Sequence, residues 1–295
     1  MGILTEFPEM SRTDLRDFKK GIDEAFKAFT REYGEGIEGF FIPLLRFLSW
    51  FEDVVVTTPW PLMMIILGGL VYAGARSWGL VAGTILTLML IGYLGMWEDT
   101  MFTLALISVS TMLCIFIGIP LGILMSKSDR TQSVVTPILD IMQTIPSFVY
   151  LIPILMLLGI GKVPGLIAVC IYAIPPVVRL TNLGIRLVDK DVLEAADAFG
   201  ASPSQKLFTV QIPLALPNIF AGVNQTIMMA LAMVVVAALI GVHGLGAVVL
   251  KAVNNQYLAL GLMNGLAIVA IAIVFDRVSQ KFGHRLQKHS EVIHG

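Results

Sequence analysis

Twenty-five consecutive residues, Met101–Met125, carry no charged side chain. At 1.5 Å per residue a helix of that length crosses the hydrocarbon core of a bilayer, about 30 Å thick. In lipid each backbone N–H and C=O needs a partner within the protein, which a helix supplies internally. That run confines the chain to one class, an all-α membrane protein, if similar runs accompany it. They do. Pro61–Ala75, Trp78–Trp97, a proline-interrupted segment over 134–160, Val163–Leu180, Ala215–Val242 and Tyr257–Phe275 are all apolar, giving about seven transmembrane helices. Trp60, Trp78 and Trp97 fall near span ends, where indole favours the interface. Across the 295 residues only 14% are charged, against about 25% in soluble domains.

The remaining composition excludes several functions. Net charge is −1, so nothing points to a nucleic-acid partner. Cys114 and Cys170 both lie in apolar runs and form no disulfide framework or metal spacing. No cleavable signal peptide is expected, because the start is charged and the first apolar run comes late. Gly161-Lys162 lacks the glycine spacing and following Ser/Thr of a phosphate-binding loop, so ATP is not expected to bind this chain in that manner. His284, His289 and His294 lie in the C-terminal tail without metal-ligand spacing, and His243 sits in a glycine-rich turn. No nucleophile–base pair or carboxylate dyad lies in a span, so no catalytic residues are expected. Asp140 is the one acid near the apolar region; a partner or a helix cap is its expected use, with a functional role the alternative for an ionisable residue at membrane depth.

Residues 1–60 differ from the rest, with seven basic and eleven acidic side chains. Ser11 and Asp14 read as a capping pair, and Leu15, Phe18, Ile22, Phe26 and Phe29 recur at helical spacing. An amphipathic helix is expected over 11–31, lying in the headgroups or on the protein's own periplasmic surface. The run over 40–51 contains Pro43 and Arg46 and is too short for a span, so a separate interfacial helix is expected.

Basic residues orient the chain. Lys127 and Arg130, then Arg179, Arg186, Lys190 and Lys206, then Arg277, Lys281, Arg285 and Lys288 follow the third, fifth and seventh spans. The opposite loops carry only Lys162 and Lys251. The positive-inside rule therefore predicts a cytoplasmic C-terminus and, with an odd span count, an external N-terminus. Gly79/Gly83, Gly118/Gly122 and Gly261/Gly265 are GxxxG pairs that permit close helix approach without saying which helices meet.

Polar features inside this frame mark candidate sites. In 134–160 a short cytoplasmic-side helix is expected to about Gln143, then a break at Thr144-Ile145-Pro146, then a span. Irregular backbone at membrane depth is tolerated where it is buried in protein or meets water, so Thr144 and Pro146 are either part of a substrate path or a simple helix junction. Asn224, Gln225 and Thr226 either bond neighbouring helices or line the same path. Asn224 and Gln225 point about 100° apart, so at most one is expected to face a cavity. Ser108, Ser110, Thr111 and Asn264 are further polar groups in spans.

The longest polar break after residue 60 is 189–219. Asp191 with Glu194 suits a capping box, and Gly200 suits the position after a helix end. Ser202, Pro203 and Gln205 suit a second helix start, ending near Ile212-Pro213, with Pro217 opening the next span. Leu193, Ala196 and Gly200 share one face, and Ala195 and Ala196 are small, so another protein surface can approach closely.

Glu194-Ala195-Ala196, Gly200 and Ile212-Pro213-Leu214 resemble the EAA loop of ABC importer permeases. QTIPSFVYLIP (143–153), GIGKVPG (159–165), PPVVRLTNLGIR (175–186) and AGVNQTIMMALAMVV (221–235) are similar to osmoprotectant permeases of the glycine betaine/proline type. The resemblance covers roughly residues 60–280. It implies a type I, MetI-like permease core working as a homodimer with a cytoplasmic ATPase dimer and a periplasmic or surface binding protein. ATP and Mg would sit on the ATPase and no cofactor on this chain. Asp191, Glu194, Ala195, Ala196, Gly200, Ala201 and Ser202 would couple to the ATPase. The implied substrate is glycine betaine, proline betaine, choline, trimethylamine N-oxide or carnitine. The domains expected are an N-terminal tail (1–60), a permease domain (61–280) with the loop 189–219, and a C-terminal tail (281–295). A channel or osmosensor without an ATPase is the alternative, disfavoured by the capped loop; a membrane-embedded enzyme is disfavoured by the missing catalytic groups.

Overall fold

The computed structural model describes residues 9–294 and, beyond Gly283, the side chain of Arg285 alone. The side chains of His284, His289 and His294 thus lie outside the described residues. Twelve helices make up the described chain. Four of them, or up to six spans if each bent helix pair counts as one, are long and apolar enough to cross a membrane.

The N-terminal segment is one helix, α1 (Arg12–Thr57), rather than two. Ser11 Oγ accepts the Asp14 N–H at 3.2 Å, as the capping pair predicts. Pro43 sits inside α1 and removes one backbone bond. The helix continues because its last turns pack on the body of the protein: Leu48 is fully buried, and Leu44 and Phe51 pack against the same core. Glu52, 4% exposed, pairs with Lys162 at the start of α7 (Lys162–Arg186). Burial of one face overrides the length argument that set 40–51 apart.

A 111° bend leads into α2 (Trp60–Ala75), followed by α3 (Trp78–Tyr93) and α4 (Trp97–Lys127). α5 (Asp129–Thr144) and α6 (Ser147–Leu158) meet at 99° across Ile145-Pro146, the break expected there. α7 outlasts the expected fifth span by six residues, so Arg179 and Arg186 belong to the helix rather than to a loop. Arg179 reaches Asp140 of α5 at 2.5 Å, so of the partner or cap expected for that acid the structure supplies a partner, a basic one.

α8 (Lys190–Ala198) and the single turn α9 (Pro203–Gln205) form the polar loop. A π turn (Lys206–Gln211) then joins α10 (Ile212–Ala238). α11 (Leu245–Asn254) folds back on α10, and α12 (Leu258–His294) closes the bundle. Between the sixth and seventh spans the reading of apolar runs contains no helix; α11 exists because Gly246 lies directly on the Val234 backbone and Thr103 Oγ1 accepts the Leu245 N–H at 2.9 Å.

The core is the α4–α7–α10 contact. A Cβ on Gly118 would lie 2.5 Å from Val177, one on Gly122 2.6 Å from Thr181, and one on Gly222 3.0 Å from the Val177 backbone. Of the three GxxxG pairs, Gly118/Gly122 is the one in which both glycines meet a neighbouring helix; of the others only Gly261 does, where a Cβ would lie 3.2 Å from Ala252 of α11. Gly83 and Gly265 face open space. Ser110 and Asn264 donate to carbonyls of their own helices, Ile107 at 3.0 Å and Leu260 at 2.9 Å, rather than across helices. These are the bonds to carbonyls three and four residues back that polar side chains make inside helices.

Candidate functional site

Two places gather the candidate residues. The first is the loop between α7 and α10. Asp189, not Asp191, caps α8: its carboxylate accepts the Asp191 N–H at 2.9 Å. Helical geometry begins at Lys190, so the side chain one position earlier is the one placed to reach the first free N–H groups, and Asp191 and Glu194 lie exposed on the helix. Gly200 follows the helix end with φ +77°, a conformation that costs glycine little. Its N–H bonds the Asp197 carbonyl at 2.9 Å, and Ala201 N–H bonds the Ala196 carbonyl at 3.0 Å. Ser202 and Gln205 form the expected capping box. Lys206 pairs with Asp197 at 2.7 Å and ties the two loop helices into one unit.

The second loop helix does not end near Ile212-Pro213. It passes through the π turn, where Ile212 N–H bonds Leu207 O, into α10, so Pro203–Ala238 is one helical rod and Pro217 lies inside it. Pro213 has no N–H to donate; the wider turn before it absorbs that loss without breaking the helix. Such turns recur at functional sites.

Leu193 and Ala196 are half-buried, whereas Ala195, Gly200 and Ser202 are exposed and Ala201 is half-buried. Phe199, at the end of α8, is 92% exposed, and Leu187 and Phe208 are exposed beside the loop. Sequence reading passes over Phe199. Its signal is an aromatic side chain directly before the turn glycine in a polar segment with nothing to bury it.

The second place is the α5–α6 break against α10. Thr144 and Pro146 are exposed, and Thr144 Oγ1 donates to the Asp140 carbonyl at 2.9 Å. On either side of the break, Gln143 Nε2 reaches Met229 Sδ at 3.8 Å and Tyr150 Oη reaches Met233 Sδ at 3.7 Å. Gln225, Met229 and Met233 stand at i, i+4 and i+8, on one face of α10. The break therefore lies along the face that carries Gln225.

The three polar residues of α10 diverge. Asn224 donates to Asp276 of α12 at 3.1 Å, and Gln280 holds the other Asp276 oxygen at 2.7 Å. Gln225 is exposed. Asn224 and Gln225 both line a cleft of about 230 Å³ with Ser279 and Gln280, at the seam where both positions border α12. Thr226 is fully buried, one turn beyond Gly222 on the α7 side, and its hydroxyl has no partner among the described residues. Asp276, one residue past the expected end of the seventh span, is the polar residue that sequence reading missed.

A family model described as the binding-protein-dependent transport system inner membrane component matches residues 115–288. The chain is 45% identical to the glycine betaine/proline betaine transport system permease protein ProW of Escherichia coli K12, covering 83% of this chain and 69% of that one. It is 43% identical to the glycine betaine/carnitine transport permease protein GbuB of Listeria monocytogenes, covering 84% and 90%. Among solved structures, an inward-facing MetNI methionine ABC transporter aligns at TM-score 0.57 and 20% identity, over 63% of this chain and 93% of that one.

Proposed function

This chain belongs to the binding-protein-dependent transport system inner membrane components, and we infer that it is the permease subunit of an ATP-driven importer for a quaternary amine. Glycine betaine is the substrate named for both relatives described above, with proline betaine or carnitine beside it; choline and trimethylamine N-oxide are chemical neighbours. Two copies pair with two cytoplasmic ATPase subunits, and an external binding protein supplies the substrate. The N-terminus is external and the C-terminus cytoplasmic.

The observation that carries this reading is the rod Pro203–Ala238. Its start is tied to α8 through Lys206–Asp197, and its remainder lies in the α4–α7–α10 core. A displacement applied to α8 is therefore delivered to the core instead of being lost in a slack loop. The ATPase docks on the α8–α9 loop: Phe199 and the Ala196/Gly200 face make the contact, and Asp191, Glu194, Ala195, Ala201 and Ser202 surround it. Closure of the ATPase dimer on ATP pulls the two loops together and turns the inward-facing permease outward. The binding protein then releases substrate into the cavity. Thr144, Pro146, Asn224, Gln225 and Thr226 lie on or beside the route, with Tyr150 offering an aromatic face of the kind that attracts quaternary ammonium groups. This chain performs no chemistry; the partner hydrolyses ATP.

Purification of the chain co-expressed with its ATPase tests the reading. Co-purification, and ATP hydrolysis stimulated by loaded binding protein in proteoliposomes, is expected. Substrate flux without an ATPase would favour a channel instead.

A further inference from the structure

Away from the loop and the break lies an apolar cleft of about 420 Å³. It is walled by α2, α3, α4, α12 and the last turns of α1. Along α2 it runs from Met63 to Val71, a length of about 12 Å at 1.5 Å per residue. Of the four hydroxyls on its wall, three bond carbonyls of their own segments: Thr84 bonds Leu80 O and Thr87 bonds Gly83 O, each at 2.8 Å, and Thr58 bonds Val54 O; Ser108 is the fourth. Apart from the Ser108 hydroxyl the wall presents carbon, which suits an apolar occupant. A helix, about 10 Å across, is too thick for this volume, so the occupant is a thin apolar chain.

One end of the cleft is basic. On α12, Ile271, Val274, Val278, Lys281 and Arg285 recur at spacings of three and four, forming one stripe. The first three line the cleft. Val278 packs against Gly74 at the end of α2. One turn on, Lys281 donates to Ser77 Oγ at 2.8 Å, and Arg285 donates to the Ala73 and Gly74 carbonyls at 3.3 and 3.0 Å. Arg76 adjoins them in the α2–α3 turn. Among the described residues no carboxylate pairs with Lys281, Arg285 or Arg76. Lys281 retains two N–H donors and Arg285 retains its Nε and Nη2 donors, so among the described residues this positive charge has no carboxylate against it.

We propose that this cleft binds an anionic phospholipid, with one acyl chain along α2 and the phosphate against Lys281 and Arg285. Charge complementarity selects the occupant: basic pockets between membrane helices take acidic headgroups. Apolar contact along α2 and α12 holds the chain. The lipid would fill a void otherwise left between α2, α3 and α12.

Two measurements on the purified complex test the site. A phosphatidylglycerol with a diazirine in its acyl chain is cross-linked to the wild-type protein and the adducts are mapped. Adducts concentrated on residues 63–71 and 271–278 support the site; adducts spread over all outward helix faces overturn it. Native mass spectrometry then compares retention of phosphatidylglycerol and phosphatidylcholine. Wild type should retain the anionic lipid about tenfold or more over the zwitterionic one, from two basic contacts. Lys281→Gln with Arg285→Gln, which keeps hydrogen-bonding groups while removing charge, should abolish that preference. Equal retention of the two lipids by wild type, or an undiminished preference in the double variant, contradicts the proposal.

Discussion

At Gly122 the helices α4 and α7 are so close that a Cβ would meet both the Thr181 side chain and the Val178 carbonyl, at 2.6 and 2.7 Å. Neither neighbour is the flexible end of a side chain. Gly122→Val should therefore destabilise the bundle by roughly 1–3 kcal/mol, the usual cost of overpacking. Gly83→Val, in open space, should leave thermal stability in detergent unchanged. Equal melting temperatures for the two variants would show that the α4–α7 contact is not a tight one. Sequence spacing presents these glycines as equivalent pairs; only the partner helix distinguishes them. The Glu52–Lys162 pair was equally hidden, since it joins residues far apart in the chain. Glu52 is buried and Lys162 partly exposed, so Lys162→Met should cost about 2 kcal/mol, less than a fully buried pair would. Glu52→Leu combined with Lys162→Met should recover most of that loss, because both desolvated charges are then gone. A double variant no more stable than Lys162→Met alone would refute this.

At the scale of helices, apolar run length and proline position marked the apolar helices and the bend at Ile145-Pro146, but overcounted the spans: about seven were expected, whereas four helices, or up to six spans with the bent pairs, are long and apolar enough to cross a membrane, and Trp78–Tyr93 is a shorter apolar helix. Neither reveals that α1 is continuous through Pro43, because what sustains it there is burial of Leu48 and Glu52 by distant elements. Nor do they reveal that Pro213 fails to stop α10. A proline reads as a breaker until the π turn that accommodates it is seen. The short helix α11 was unreadable for the same reason: its N-terminus is capped by Thr103, some 140 residues away. The Asn224–Asp276 bond links α10 to α12 and predicts different outcomes for two adjacent amides. Asn224→Leu strands Asp276 and should reduce abundance or thermal stability. Gln225→Leu should leave both intact and slow uptake, since Gln225 is exposed on the face along which the break runs. Normal uptake at normal abundance in the Gln225 variant would remove that residue from the route.

For the molecule as a whole, composition and the motif series sufficed for the class and the family, whereas the candidate loop was only partly readable. Its caps at Ser202 and its turn at Gly200 follow from residue identity; the cap at Asp189, the exposure of Phe199 and the union of α9 with α10 depend on tertiary geometry. Orientation is a property of the whole chain. Single cysteines at Ser11 and Ser290, probed on intact cells with an impermeant thiol reagent, should be labelled at position 11 and not at 290; the reverse would invert the topology.

The central claim is that the α8–α9 loop transmits the ATPase stroke into α10. Gly200 has empty space around it, so a side chain there does not clash within this chain; the φ of +77° makes it cost about 1 kcal/mol in backbone strain and obstructs the docking face. Ala196→Trp obstructs the same face. Glu194→Ala, on an exposed helix position, should be milder. The direct measurement is ATP hydrolysis by reconstituted complexes carrying Gly200→Asp or Ala196→Trp, with and without loaded binding protein. Membrane insertion near wild-type levels with stimulated hydrolysis and uptake lost together is the expected result; full stimulation in both variants would contradict the assignment of this loop as the coupling element.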